Sequence, residues 1–322
     1  MVYVYALCDV YYDSFYLKGL KDMFGTYTFN IDKFPKFSQG TFAVLIQKEG
    51  LNVKLIIDSK DSNKIDIEKL IWCDVYGKVN FNNSSILEDY RLKVKPIGPS
   101  FAIKIWNLPV AIFISFINFI RFKDFISNKR EFFANYWRQK NRLPLESYKN
   151  SESVDGYVFF ISSIWKNERL TNLTRAAFIK GCRNLKIIFE GGFAPRKDGD
   201  NMDFDNLVVA RRYSLIEYVR KIKLSSIVFS TPAVLSCHGW KLGEFLALGK
   251  AIITTNHINI LPAELKDNIH VIYVDDVRFI EDKIKMLMED SNLRRVLEIN
   301  AKKYFDTYLA PKIVIKNLLY SN

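Results

Sequence analysis

Residues 236–256 read SCHGWKLGEFLALGKAIITTN and carry the most pointed chemistry in the chain. Gly239 and Gly243 let the backbone come close to a ligand, and Glu244 follows in what reads as the first turn of a helix. Leu246, Ala247 and Leu248 continue that helix, Gly249 can end it in the left-handed conformation, and 251–255 is a β-prone run. A glycine-bearing loop that opens a helix presents backbone N–H groups and the positive end of the helix dipole, which suits an anion, most simply phosphate. One carboxylate a turn further in does not bind phosphate, but it can accept two hydrogen bonds from a ribose diol. Together these features describe a nucleotide diphosphate held at a strand–loop–helix junction. Lys241 in the same loop can neutralise the diphosphate or remain solvated. His238 can contact the ligand, move a proton or serve structure alone.

The elements that must position this stretch follow from the rest of the chain. It has 322 residues, 49% of them hydrophobic, enough for a large core and better suited to two domains than one. The formal net charge of +12 points to polyanionic partners. Cys8, Cys73, Cys182 and Cys237 are scattered with no C-x-x-C pair, and His238, His257 and His270 make no ligand spacing, so no metal site or disulfide framework is indicated. Scattered cysteines suit a reducing compartment. The first ten residues lack a basic flank and a long apolar run, so they read as a strand rather than a signal peptide.

From residue 156 onward strands and helices alternate cleanly. Strands are expected at 157–162, 185–189, 207–210, 226–229, 251–255 and 271–274, and helices at 170–181, 214–221, 279–289 and 292–308. This spacing implies right-handed β-α-β units, a parallel sheet, and ligands at the carboxyl ends of its strands. The first half is α/β but blurred, with strands at 2–8, 42–47 and 53–58 and a helix at 14–24. A polar stretch at 147–153 reads as the linker, giving domains 1–150 and 151–322. Residues 103–142 stand apart: aromatics recur at near-helical spacing among Arg121, Lys123, Lys129, Arg130, Arg138, Lys140 and Arg142. The segment is too broken to span a bilayer. It reads either as a surface that dips into an anionic membrane or as a helix pair that packs its aromatics on the core. Nothing in it resembles a base-reading motif, so nucleic acid is not an expected partner.

The run Gly239-Trp-Lys-Leu-Gly-Glu-Phe-Leu-Ala-Leu-Gly-Lys-Ala-Ile-Ile253 is similar to the G-x-x-x-x-E-A-(L/M)-A-x-G-x-P-(V/I)-(V/I) signature of nucleotide-sugar-dependent GT-B glycosyltransferases. The resemblance covers about residues 151–322. It implies an α/β, GT-B fold: two Rossmann-like domains with a cleft between them, the second binding the donor, the last helix crossing back to the first. It implies that Glu244 holds the donor ribose and that the 239–243 loop lies by the phosphates and sugar. By position it brings in Lys166 and Arg169 after the first strand for the diphosphate, and Gly191 and Gly192 after the second for backbone approach. Arg196 lies just beyond, Arg211 and Arg212 sit where the base is recognised, and Thr254 and Thr255 lie near the phosphates. Two departures stand out. Ser236 occupies the place of a second glutamate that faces the transferred sugar in many retaining members, and Ala251 replaces the usual proline.

The resulting expectation is a glycosyltransferase moving a sugar from a nucleotide-diphosphate donor to a glycan or lipid-linked acceptor in bacterial surface polysaccharide or glycoconjugate synthesis. It would be cytoplasmic and peripheral on the inner face of the cell membrane. Inversion would need a base from the first half, with Asp9, Asp13 and Asp74 as candidates. No cofactor or metal is expected: the D-x-D triplets at 198–205 read as a solvated acidic loop, and a basic site with helix-dipole help can stabilise a leaving diphosphate. The alternative from another class is a non-catalytic glycan- or nucleotide-binding protein on the same scaffold.

Overall fold

The computed structural model describes residues 1–48, 50–86, 88–149, 152–185 and 187–320. The expected linker at 147–153 includes Asn150 and Ser151, which lie outside the described residues. Along the chain the elements are β1 (Val2–Tyr5), α1 (Ser14–Phe24), β2 (Thr28–Asn30), β3 (Phe42–Lys48), β4 (Leu51–Asp58), α2 (Ile67–Trp72), β5 (Val75–Lys78), β6 (Val94–Pro96), α3 (Leu108–Phe122) and α4 (Lys129–Lys140). Then follow β7 (Tyr157–Ser162), α5 (Arg169–Asn184), β8 (Ile188–Phe193), α6 (Leu215–Leu224), β9 (Ile227–Ser230), α7 (Trp240–Leu248), β10 (Ala251–Thr254), β11 (Ile272–Tyr273), α8 (Ile280–Glu289), α9 (Ser291–Tyr304) and α10 (Pro311–Tyr320). A π-helical turn, Phe305–Leu309, joins the last two helices. The described residues form two compact units, one drawn from 1–147, 259–263 and 307 onward, the other from 148–258 and 264–306.

The first unit is built on a six-stranded sheet in the order β2-β1-β3-β4-β5-β6. Only β3 runs antiparallel to its neighbours, so the carboxyl ends of β1, β4 and β5 share one edge. Residues 42–46 of β3 are buried without alternation, the pattern of a strand covered on both faces. Helix α1 buries Phe15, Tyr16, Leu17 and Leu20. Its Gly19 meets α10 so closely that a Cβ there would lie 2.3 Å from the Pro311 carbonyl oxygen. The basic aromatic segment forms two helices, capped by Asn107 and Asn128, whose side chains accept from the Val110 and Glu131 N–H groups.

In the second unit, β7 pairs with β8, and β9, β10 and β11 form a second parallel ladder. The Ser226 N–H donates to the Tyr157 carbonyl at 2.8 Å, which sets β7 beside β9. Val208 adds a single parallel bridge to Phe193 outside β8. The strands of the unit therefore lie in the order β8-β7-β9-β10-β11, with the Val208 bridge standing outside β8 where a doubly wound 3-2-1-4-5-6 sheet would place a third strand. The core is apolar, and Phe178 of α5 stacks on Phe229 of β9 with centroids 4.4 Å apart.

Two expectations need correction. Residues 207–210 are not a strand: a 3-10 turn spans Asp205–Leu207, and the Leu207 and Val208 N–H groups bond locally to the Phe204 and Asp205 carbonyls instead of to a ladder. The second strand of the unit also starts later than expected, because α5 runs on to Asn184 and the Leu185 N–H still bonds back to the Gly181 carbonyl. The expected 185–189 strand includes Lys186, which lies outside the described residues.

Replacing Gly19 with alanine is expected to destabilise the protein by about 1–3 kcal/mol, since backbone cannot retreat from an added methyl as a flexible side chain can. Urea denaturation of Gly19→Ala checks this, and an unchanged midpoint would contradict the close helix contact.

Candidate functional site

The strand order reverses between β7 and β9: the chain leaves β7 for β8 on one side and β9 for β10 on the other. Such a switch point opens a crevice above the carboxyl ends of the two strands, where ligands of open α/β sheets bind. Two cations straddle it. Arg175 of α5, which follows β7, is buried, and its Nε donates to Thr231 Oγ1 after β9 at 3.0 Å. Its Nη1 donates to the Ser163 carbonyl at 3.1 Å. Lys241 of α7, which follows β9, reaches the opposite way and donates from Nζ to the Ile161 carbonyl of β7. The residue as a whole is half-buried, but its ammonium end is the enclosed part, 5.1 Å above the Phe160 ring. Among the described residues neither cation forms a salt bridge.

Burial without a salt bridge weakens both charges. Burial, reinforced by the Arg175 charge and opposed by Glu244, pulls Lys241 from its ordinary 10.5 down to about 7. Burial pulls Arg175 down to about 10, with Glu168 and Cys237 opposing. A bound anion would raise both groups again, holding the proton on Lys241, and supply a counter-charge. Arg175 was not singled out from the sequence. The signal was there, an arginine at the buried register of an amphipathic helix among Asn172, Ala176, Phe178 and Ile179, but its meaning depends on which loops it joins.

Helix α7 begins at these same strand ends. Gly239 is its N-cap, at φ −72°, without a side-chain hydrogen bond, and Gly249 ends it in the left-handed conformation at φ 60°. Residues 242–248 are all buried. Glu244 lies in the second turn, not the first: the helix starts at Trp240, which makes Glu244 its fifth residue. Its Oε2 accepts from the Tyr218 hydroxyl of α6 at 2.9 Å. Gly243 is an interior helix residue, and a Cβ at Gly239 would make only ordinary contact, 3.7 Å from Ala233 Cβ. His238 is buried, with its ring 5.2 Å from that of His257, which burial depresses to about 4. The loop before α7 is strained, since Leu235 and Ser236 both take positive φ, 56° and 57°.

A pocket of about 340 Å³ opens at the carboxyl ends of β9, β10 and β11, beside the first turns of α5. Thr171, Thr174, Thr231, Ser236 and Thr255 supply hydroxyls to it. Among the described residues that line it, Asp275 is the one carboxylate, engaged by the Asn256 amide at 2.7 Å, and there is no lysine or arginine. Such a lining suits a neutral polyol better than an ion.

Several expected contacts fall elsewhere. Gly191 and Gly192 lie within β8 rather than after it, and a Cβ at Gly191, at φ 118°, would come within 1.8 Å of the Phe160 carbonyl oxygen, so the glycine serves strand pairing. Lys166 is exposed and paired with Asp198 at 3.1 Å and Asp200 at 3.6 Å. Arg196 also binds Asp198, at 2.7 Å, and donates to the Ile164 carbonyl at 2.8 Å, so this trio pins the acidic loop onto the loop after β7. Arg169 is the exposed first residue of α5. Arg212 donates to the Pro195 carbonyl at 2.7 Å, and Arg211 pairs with Glu217 at 2.8 Å. Among the described residues no group of three or more His, Cys, Asp or Glu is placed to hold a metal ion.

In the first unit, Asp9 and Asp13 lie beyond the carboxyl end of β1. Asp9 Oδ1 accepts from the Tyr11 and Tyr12 N–H groups, and Asp13 Oδ2 accepts from the Asp9 N–H at 3.1 Å. Burial raises both carboxyls, Asp13 well above the usual range with Asp9 adding to it. Asp74 precedes β5, at the amino end of that strand, and accepts from the Lys54 N–H at 2.8 Å, which fits a structural tie. Unforeseen from the sequence is a buried cluster at the carboxyl ends of β4 and β5, where Asp58 accepts from Lys78 Nζ and from the Tyr76 hydroxyl, each at 2.8 Å.

Among solved structures, the chain matches the C-terminal domain of a glycosyl transferase group 1 family protein (LpcC) from Francisella tularensis at 17% identity and a TM-score of 0.35, over 51% of this chain and 96% of that one. It matches a glycosyltransferase from Rickettsia africae ESF-5 at 14% identity and a TM-score of 0.45, over 80% of this chain and 67% of that one. It also matches WaaG, a glycosyltransferase involved in lipopolysaccharide biosynthesis, at 15% identity and a TM-score of 0.40, over 77% of this chain and 63% of that one. All three of these neighbours are described as glycosyltransferases. No protein-family model and no curated protein matches the chain by sequence.

Lys241 gives the site a pH signature. The unfolded chain keeps its proton up to about 10.5, the folded protein only up to about 7. Between these values the unfolded state binds more protons, so the contribution of this residue to stability rises with pH, by up to about 1.4 kcal/mol per unit. Lys241→Met should flatten the rise in unfolding free energy between about pH 7 and 9, measured in urea. An identical slope in the variant would show that the ammonium is not buried.

Proposed function

We propose that the chain is a glycosyltransferase that takes a sugar from a nucleoside diphosphate donor, held at the switch point of the second unit, and passes it to a glycan or lipid-linked acceptor. The observation that carries this reading is the pair of buried cations, Arg175 and Lys241, without a salt bridge among the described residues and reaching across the crevice from opposite sides. Two cations at one point ask for a multiply charged anion, and a diphosphate supplies it. Helix α7 adds its N-terminal dipole from the next loop. Glu244, a further turn inside, is the group for the ribose hydroxyls, with Tyr218 orienting its carboxylate. The hydroxyl-lined pocket beside Thr231 and Ser236 is where the neutral sugar is taken. On this reading Arg175 and Lys241, not a metal, stabilise the charge that develops on the leaving diphosphate, the usual source of rate in phosphate departure. An acceptor presented at the cytoplasmic surface of a membrane belongs to the same reading. No helix among the described residues is long and apolar enough to cross one.

Thermal shift across UDP, GDP, CMP and ADP and their sugar conjugates tests the donor class, because a ligand bound only to the folded state raises the midpoint by linkage. One base series is expected to stabilise the protein. Arg175→Met should lose that shift, and Glu244→Ala should weaken nucleotide affinity about tenfold, the worth of one or two charge-assisted hydrogen bonds. Circular dichroism should show both variants folded. If no nucleotide shifts the wild type and no sugar nucleotide is consumed in the presence of glycan or lipid acceptors, the reading fails.

A further inference from the structure

Helix α3 is turned inside out. Toward the protein it buries Ala111, Ser115, Asn118 and Phe122, and the Asn118 amide donates to the Tyr136 hydroxyl of α4 at 3.0 Å. Toward solvent it presents Val110, Ile112, Phe113, Phe116 and Ile120, between 39% and 65% exposed. A surface helix of a globular protein has the opposite arrangement. The outward residues recur every three or four positions, so they form one stripe along a helix about 22 Å long. An apolar stripe of that size marks a contact with something apolar.

The surroundings indicate what covers it. Helix α4 adds exposed Phe133 and Trp137, and the Phe133 ring lies 5.0 Å from Phe119 of α3. Lys140 Nζ sits 4.5 Å from the Trp137 ring centroid, and tryptophan beside a cation is a pairing typical of the membrane–water boundary. Residues 103–142 hold eight Lys and Arg against two Asp and Glu. That excess disfavours a second copy of the chain, because a two-fold contact would set like charges together. It favours an anionic bilayer. Between α3, the end of α1 and β2 lies a pocket of about 300 Å³. Phe29, Trp106, Ile114 and Ile117 give it apolar walls, and the exposed Lys21 and Arg121 line it too, neither in a salt bridge among the described residues. Lys21 and Arg121 each lie in the last turn of their helix, α1 and α3, where they complement the negative end of its dipole, so the two helix ends bring two cations to one pocket mouth.

We propose that the outward face of α3 lies in the headgroup–acyl boundary of an anionic bilayer, and that the adjoining pocket seats a phospholipid with its phosphate at Lys21 and Arg121. The helix lies along the membrane rather than through it, being shorter than the roughly 20 residues a span needs. This gives the proposed transferase a place to meet a lipid-linked acceptor, but it does not depend on the donor site.

Vesicle flotation of the full chain, without nucleotide, tests it. Vesicles of phosphatidylcholine with about 30% phosphatidylglycerol should bind the protein at low salt, and pure phosphatidylcholine should bind it about tenfold less. Phe113→Asp with Phe116→Asp should abolish binding while leaving the nucleotide-induced thermal shift intact; both side chains are exposed, so the fold should tolerate the change. Lys21→Ala with Arg121→Ala should erase the preference for phosphatidylglycerol. Failure to float with anionic vesicles at low salt, or undiminished binding by the phenylalanine variant, would overturn the proposal. So would a dimer in sedimentation that this variant dissolves. Complete displacement by inorganic phosphate would reassign the pocket to a free anion.

Discussion

The second unit depends on a narrow join. Between β7 and β9 the Ser226 N–H bonds to the Tyr157 carbonyl at 2.8 Å, and the Phe159 N–H bonds to Ser225 Oγ at 2.9 Å. This join sets the two ladders side by side as β8-β7-β9-β10-β11 and makes the strand order reverse there. The loops that leave the two strands therefore diverge, and the space between them must be filled by side chains or by a ligand. Arg175 and Lys241 enter that space from opposite faces. Three of their eight N–H donors go to two carbonyls and a hydroxyl, and among the described residues no salt bridge balances the charge. A fold that needed only a strut would be served better by an apolar residue.

Charge is handled differently elsewhere in the molecule. At the surface of the second unit Lys166 and Arg196 close on Asp198, and Arg211 closes on Glu217, exposed pairs of small energetic weight that fix loops. In the first unit the fully buried Lys78 is answered directly by Asp58. Lys250 is likewise buried without a salt bridge among the described residues, its Nζ donating to the Lys223 carbonyl at 3.0 Å; what sets the switch point apart is that it brings two such cations together, and α3 is the matching departure for apolar surface. Both breaks in local consistency fall where a partner is needed, as expected of functional rather than structural positions.

Much of this was legible in the sequence, for physical reasons that differ by residue. Helix α1 spans 14–24 as its periodicity predicts, and Ser214 forms the capping box that starts α6. Gly249 ends α7 as its type demands, and the alternation after residue 156 gave the parallel sheet. Glu244 was placed one turn too early, because Gly239 and Gly243 looked like one loop while only Gly239 precedes the helix. Gly191 and Gly192 were placed beyond their strand, because the start of β8 is set by how far α5 persists, a tertiary effect. Arg175 was invisible because its role comes from Thr231, 56 residues away. The 103–142 segment stayed ambiguous since near-helical spacing of aromatics fits a buried or an exposed face equally; only the burial of Ala111, Ser115 and Asn118 tells them apart.

The contact between Gly19 and Pro311 has a consequence for how the protein is made. Helix α10 belongs to the first unit, where it packs on α1 and lays Leu318 against Gly77 of β5. During synthesis the first strands and helices leave the ribosome long before that helix exists. The surface of α1 around Gly19 must therefore wait uncovered while the whole second unit emerges and folds. Domains usually fold in the order they are made. Here the first unit to begin is the last to be completed, and its early sheet is the part of the nascent chain most in need of protection from aggregation.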